Sequence, residues 1–178
     1  MGFNLGGLLQ QYIGGNAVSD ADAQDHFHQA AQSASPDLLS QGLSAMFRSD
    51  QTPAFGQMAG QLFGQASGTQ QAGMLSQLIN SMGPSVLSSL VNGAGGAGLG
   101  AILGKLTQGG GTVAVTPDQA SQLTPEQVQV IASHAEKHDP GVVDAMSSFY
   151  AQHAGLIKTL GSAALTIALA KMAERHQG

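Results

Sequence analysis

Thr116-Pro117-Asp118-Gln119-Ala120-Ser121-Gln122-Leu123-Thr124-Pro125-Glu126-Gln127-Val128 is the stretch that decides the fold. Each Thr precedes a Pro, and each is followed three residues later by a Gln. A Thr hydroxyl can accept from the amide three residues on, while the Gln side chain reaches back to the Thr amide. Proline at the first helical position presets φ and lacks only an N–H that would have had no partner. Two helix starts therefore stand eight residues apart, near 117 and 125.

The same signature recurs along the chain. The six prolines, at 36, 53, 84, 117, 125 and 140, follow Ser35, Thr52, Gly83, Thr116, Thr124 and Asp139. Five of these are strong N-cap residue types, and Gly is an acceptable one. Ser19-Asp20-Ala21-Asp22 is a further start signal. Between the starts, apolar residues recur at i, i+3, i+4 and i+7: Leu5, Leu8, Leu9 and Tyr12; Leu39, Leu43, Met46 and Phe47; Phe55, Met58, Ala59, Leu62 and Phe63; Leu75, Leu78, Ile79 and Met82. Val86–Val91, Leu99–Leu106, Val128–Ala135 and Val142–His153 repeat the pattern. This periodicity belongs to amphipathic helices. Only Thr112–Val115 looks β-like, and four residues cannot make a sheet. The expectation is an all-α protein of about ten short Pro-capped helices packed around a central apolar C-terminal helix, residues 155–174.

Composition narrows the function classes. Of 178 residues, 25 are Gly, 26 Ala, 17 Ser and 20 Gln, and 10% are charged, with net charge −5. Six Lys and Arg supply no basic stripe, so no nucleic-acid partner is expected. The absence of Cys excludes disulfides, thiolate metal sites and a Cys nucleophile. Residues 51–104 contain no Asp, Glu, Lys, Arg or His. Such a run is either solvated through Gln and Ser or covered by another subunit, because charge is depleted from interface cores. With the glycines at 109–111, it suggests an N-terminal helical region (1–108), a Gly-rich linker (109–116) and a C-terminal helical region (117–178).

Chemical motifs are few. Gly93-Ala94-Gly95-Gly96-Ala97-Gly98 matches a dinucleotide-binding fingerprint, but a helical stripe precedes it where a strand is required. Gly104-Lys105 lacks the Ser or Thr and the upstream Gly of a phosphate-binding loop. No Ser lies in a nucleophile elbow, and no nucleophile–base–acid set can be assembled, so no enzyme activity and no cofactor are expected. Metal ligands could come from His134 and His138, four residues apart on one helix, or from Asp25, His26 and His28. Helix ends explain these residues equally well. A hairpin through Asp139-Pro140 would put His138 and His153 about 20 Å apart. No tight transition-metal site is expected.

The C-terminal helix carries Leu156, Leu160, Leu165, Ile167, Leu169 and Met172 around most of its circumference. A stripe of small residues, Thr159, Ser162, Ala163, Thr166, Ala170 and Ala173, permits close helix approach. Lys158 and Lys171 leave twelve uncharged residues between them, too few to span a bilayer. The start of the chain has no basic region before an apolar run, so a cytoplasmic protein is expected. The expected interface residues are Ser162, Thr166 and Ala170 on the small stripe, with Gln61 and Gln77 in the uncharged segment.

Gly95-Gly96-Ala97-Gly98-Leu99-Gly100-Ala101-Ile102-Leu103-Gly104-Lys105-Leu106, the two Thr-Pro-Asp/Glu-Gln starts, and Phe149-Tyr150-Ala151-Gln152-His153-Ala154-Gly155-Leu156-Ile157-Lys158-Thr159-Leu160-Gly161 resemble uncharacterised bacterial proteins of the YidB-like type. The resemblance covers the second half of the chain. It implies a small all-helical bacterial protein and carries over no catalytic residue. The function expected is non-enzymatic, through self-association or binding of a protein partner. The alternatives are a metal-binding protein using His134/His138 or Asp25/His26/His28, and a binder of lipid or membrane surfaces using the last helix.

Overall fold

The computed structural model describes residues 4–13, 18–93, 99–107 and 113–177. Among them the chain is all-α, with eleven α-helices, one 3-10 turn and no strand. The helices are α1 (Leu5–Ile13), α2 (Asp20–Ser33), α3 (Pro36–Phe47), α4 (Phe55–Gln65), α5 (Gly68–Gly93), α6 (Leu99–Thr107), α7 (Pro117–Ala120), α8 (Pro125–His138), α9 (Gly141–Gln152), α10 (Ala154–Ile157) and α11 (Ser162–Gln177). Of the fingerprint Gly93–Gly98, all but Gly93 lies outside the described residues, as does Gln108–Thr112.

Local chemistry sets the helix starts. Ser19 Oγ accepts from the Asp22 amide at 3.2 Å, and Ser35 Oγ from the Leu38 amide at 3.2 Å. Thr116 and Thr124 both form complete capping boxes, with Gln119 and Gln127 returning the bond to the Thr amides at 3.0 and 2.9 Å. Gly83 takes φ 74° and ψ 165°, which breaks α5 ahead of Pro84 into two helical segments. Thr52 does not act as a cap. Its hydroxyl is turned to the carbonyls of Met46 and Ser49, and α4 starts at Phe55. Asp139 Oδ1 accepts from the Gly141 amide at 2.9 Å, so α9 begins one residue after Pro140.

Two expectations are corrected. The single helix over 155–174 is broken. Gly161, at φ 93° and ψ 167°, separates α10 and the 3-10 turn (Lys158–Leu160) from α11. The chain also does not divide at 109–116. One unit comprises 1–54 with 147–178, and the other 55–146, with α9 running from the second into the first. The β-like segment shows why 113–116 is not a free linker. The Asn80 side chain donates to the Val113 carbonyl at 3.0 Å and accepts from the Val113 amide at 2.8 Å. The Val115 amide donates to Ser76 Oγ at 2.9 Å. Side chains of α5 thus take the part a neighbouring strand would have played, satisfying backbone groups that need a partner.

In the first unit α11 packs on α3, α1 and α2. Leu165, Ala168, Leu169 and Met172 of α11 are buried, as are Leu43, Met46, Phe27 and Leu9. A Cβ on Gly42 of α3 would overlap Met172 Cγ and lie 3.3 Å from the Ala168 carbonyl oxygen, so α3 and α11 meet at a bare backbone. Tyr150 and Phe47 pack with ring centroids 5.5 Å apart. In the second unit α8 packs on α4 and α5 rather than folding back along α9, and α7 and α6 lie on α5. Phe55, Met58, Leu62, Met74, Leu78, Val128 and Ile131 are buried there.

Candidate functional site

The packing of α4 on α8 in the second unit rests on glycine. Gly56, Gly60 and Gly64 stand four residues apart on α4 and face α8. A Cβ on Gly56 would overlap Ser133 Oγ and come within 2.9 Å of the Gln129 carbonyl oxygen. On Gly60 it would lie 2.6 Å from the Pro125 carbonyl oxygen, and on Gly64 3.2 Å from Pro125 Cγ. With Phe55, Met58, Ala59, Leu62 and Phe63 buried as well, most of the α4 surface is internal. Part of the charge-free run 51–104 is therefore core, where a charge would be costly.

Other described residues of that run face solvent. Gln57, Gln61 and Gln65 on α4 and Ser85, Ser88 and Ser89 on α5 are exposed. Gln77 is half-buried. Several hydroxyls on α5 bond back to their own helix: Ser76 to the Ala72 carbonyl at 2.8 Å, Ser81 to Gln77 at 2.8 Å, Ser88 to Pro84 at 3.0 Å and Ser89 to Ser85 at 3.1 Å. A hydroxyl satisfied within its own helix leaves that surface less demanding of water.

The glycine-lined seam also fixes α8, which carries His134 and His138. These lie one helical turn apart, with ring centroids 4.5 Å apart and planes tilted by 49°. His134 Nε2 is out of contact with solvent and has no hydrogen-bond partner. An unsatisfied buried polar atom of this kind costs about 1–3 kcal/mol. Burial, and then the neighbouring His138 and Lys137, hold the His134 imidazole below its ordinary value. It is therefore neutral near pH 7, the form that can ligate a metal. His138 is exposed.

Asp25, His26 and His28 are not brought together. His26 is turned toward α1, where Tyr12 Oη lies 2.6 Å from its Nδ1 and the rings meet edge to face. His28 Nε2 accepts from Gln32 Nε2 at 2.7 Å, and Asp25 and His28 are exposed. Burial first, and Asp22 second, push the Tyr12 phenol up to about 12. Among the described residues no three His, Asp or Glu side chains form a metal-binding group. Of the small stripe on α11, Ser162, Thr166 and Ala170 are half-buried, Ala163 is exposed and Ala173 is buried. The close contact of that helix lies instead at Ala168 and Met172.

Three features lie beyond what the periodicity conveyed. The glycine spacing 56, 60, 64 is visible in the sequence, but its partner helix is not. The Asn80 clamp on Val113 joins residues 33 apart. The Tyr150 hydroxyl is buried with no partner, and burial raises its pKa. No helix among the described residues is long and apolar enough to cross a membrane. No family model matches this chain, and no curated protein or solved structure matches it.

Proposed function

We propose that this chain is a non-catalytic helical protein that works by associating with a second copy of itself through the exposed side of α4 and α5. One observation carries the proposal: the exposed residues of α4 and α5, among them Gln57, Gln61, Gln65, Ser85, Ser88 and Ser89, carry no charge. A two-fold interface brings the same patch against itself, so any charge near its axis meets its own like. A charge-free patch escapes that repulsion. Bare uncharged surfaces also tend to associate. Of Gln61 and Gln77, Gln61 is the better probe, because Gln77 is half-buried and a substitution there disturbs packing as well.

Sedimentation velocity of the untagged chain over a range of concentrations tests the proposal. The expected result is a mass that rises from one to two copies as concentration increases. A strict monomer at high micromolar concentration contradicts it.

A further inference from the structure

His134 and His138 project from one face of α8 with ring centroids 4.5 Å apart, and one imidazole nitrogen, His134 Nε2, is shielded from solvent and has no protein hydrogen-bond partner. We propose that this pair is a two-imidazole chelate for a divalent transition cation of the nickel, copper or zinc class. This inference does not depend on self-association.

Imidazole nitrogen suits these cations, while magnesium and calcium prefer oxygen. Bonds of about 2.0–2.1 Å require the two ligating nitrogens to lie within about 4 Å of each other. Rings already adjacent on one helical face are close to that condition. The helix is held before any cation arrives. Its first turn is closed by the Thr124–Gln127 capping box, and its buried face, Val128, Ile131, Ala132 and Ala135, is packed on α4 and α5. Only side-chain torsions remain to be set. His138 is exposed, so its ring can turn without disturbing the core. The unpaired nitrogen loses no hydrogen bond on binding. Glu136 lies two residues from each His, about 200° around the helix, and does not share their face. The site therefore offers two protein ligands and leaves the other positions to water. Such a site is open and exchangeable rather than a closed structural one, in keeping with the expectation that no tight site survives dialysis.

Isothermal titration of the untagged chain with zinc chloride and with nickel chloride tests this. Saturable binding of one cation per chain is expected, with no binding of magnesium. His134→Gln and His138→Gln should each weaken binding at least tenfold, whereas His28→Gln, at an exposed position of α2, should leave it unchanged. If both variants of the pair bind as the wild type does, or if no saturable binding occurs, the proposal is overturned. Should His134→Gln lose helicity by circular dichroism, His138→Gln alone decides the question, because His138 is exposed.

Discussion

Gly60→Ala places a methyl group where α4 and α8 leave no room for one. The new Cβ would lie 2.6 Å from the Pro125 carbonyl oxygen and 3.2 Å from Gln129 Cβ. Ordinary contact begins near 3.4 Å, so α4 must retreat by most of an ångström. The obstacle is backbone at the first turn of α8, held by its capping box, and cannot swing aside as a side-chain end would. A radial gap of about 0.5–1 Å forfeits a quarter to a half of the dispersion between the separated faces. Overpacking of this kind costs about 1–3 kcal/mol. Against it stands the helix-propensity gain of Ala over Gly, about 1 kcal/mol. The clash outweighs the gain, with a net loss of up to about 2 kcal/mol, and each kcal/mol lowers the melting temperature by about 2–4 °C in a chain of this size. Gly64→Ala is the internal control. It offers a similar propensity gain but meets only the exposed Pro125 ring, at 3.2 Å, and should be close to neutral. Gly56→Ala, against Ser133 and the Gln129 carbonyl, should behave like Gly60→Ala. Urea denaturation followed by circular dichroism reads all three. If Gly60→Ala and Gly64→Ala stabilise the protein equally, α4 and α8 are not in close contact, and the packing described for the second unit is refuted.

Gly161→Ala should cost about 1–3 kcal/mol, because φ 93° with ψ 167° is a conformation only glycine adopts readily; an unchanged urea midpoint would mean that α10 and α11 are one helix after all. Tyr150→Phe removes a buried hydroxyl that has no partner, so stability should hold or rise by on the order of 1 kcal/mol; a clear loss in thermal unfolding would reveal a bond to that oxygen. Tyr12 stays protonated to a higher pH in the folded chain than in the unfolded one. Its contribution is therefore complete below pH 10 and is lost as pH rises from 10 to about 12. Tyr12→Phe should make the alkaline fall in stability shallower, and an unaltered pH profile would show that the phenol is not held by its surroundings.

The helix starts could be read from the sequence because a cap is completed within three residues. Ser19, Ser35, Thr116 and Thr124 all bond to the amide three positions on. Thr52 failed as a cap for the complementary reason: carbonyls at Met46 and Ser49, supplied by the preceding turn, take its hydroxyl first. The break at Gly161 was invisible to hydrophobic periodicity, since apolar residues on both sides of it are buried whether or not one helix connects them. The division of the chain depended on distant partners. Nothing local tells Asn80 that it will hold Val113, or Gly60 that a carbonyl of α8 will sit against it. Spacing alone placed His134 and His138 on one face, but the unpaired state of His134 Nε2 follows from tertiary packing. The uncharged run lies partly in the core, on one side of α4, and partly outside it, at Gln57, Gln61 and Gln65.

Sedimentation equilibrium of Gln61→Lys beside the wild type, with circular dichroism confirming equal helicity, is the most direct test of the proposed self-association. Residue 61 is exposed, so the added charge should leave the fold intact. In a two-fold interface it would meet its own copy across the contact. The interface on α4 and α5 predicts a dissociation constant at least tenfold weaker for the variant at low salt, with part of the difference recovered at high salt. Identical association by both proteins would contradict it.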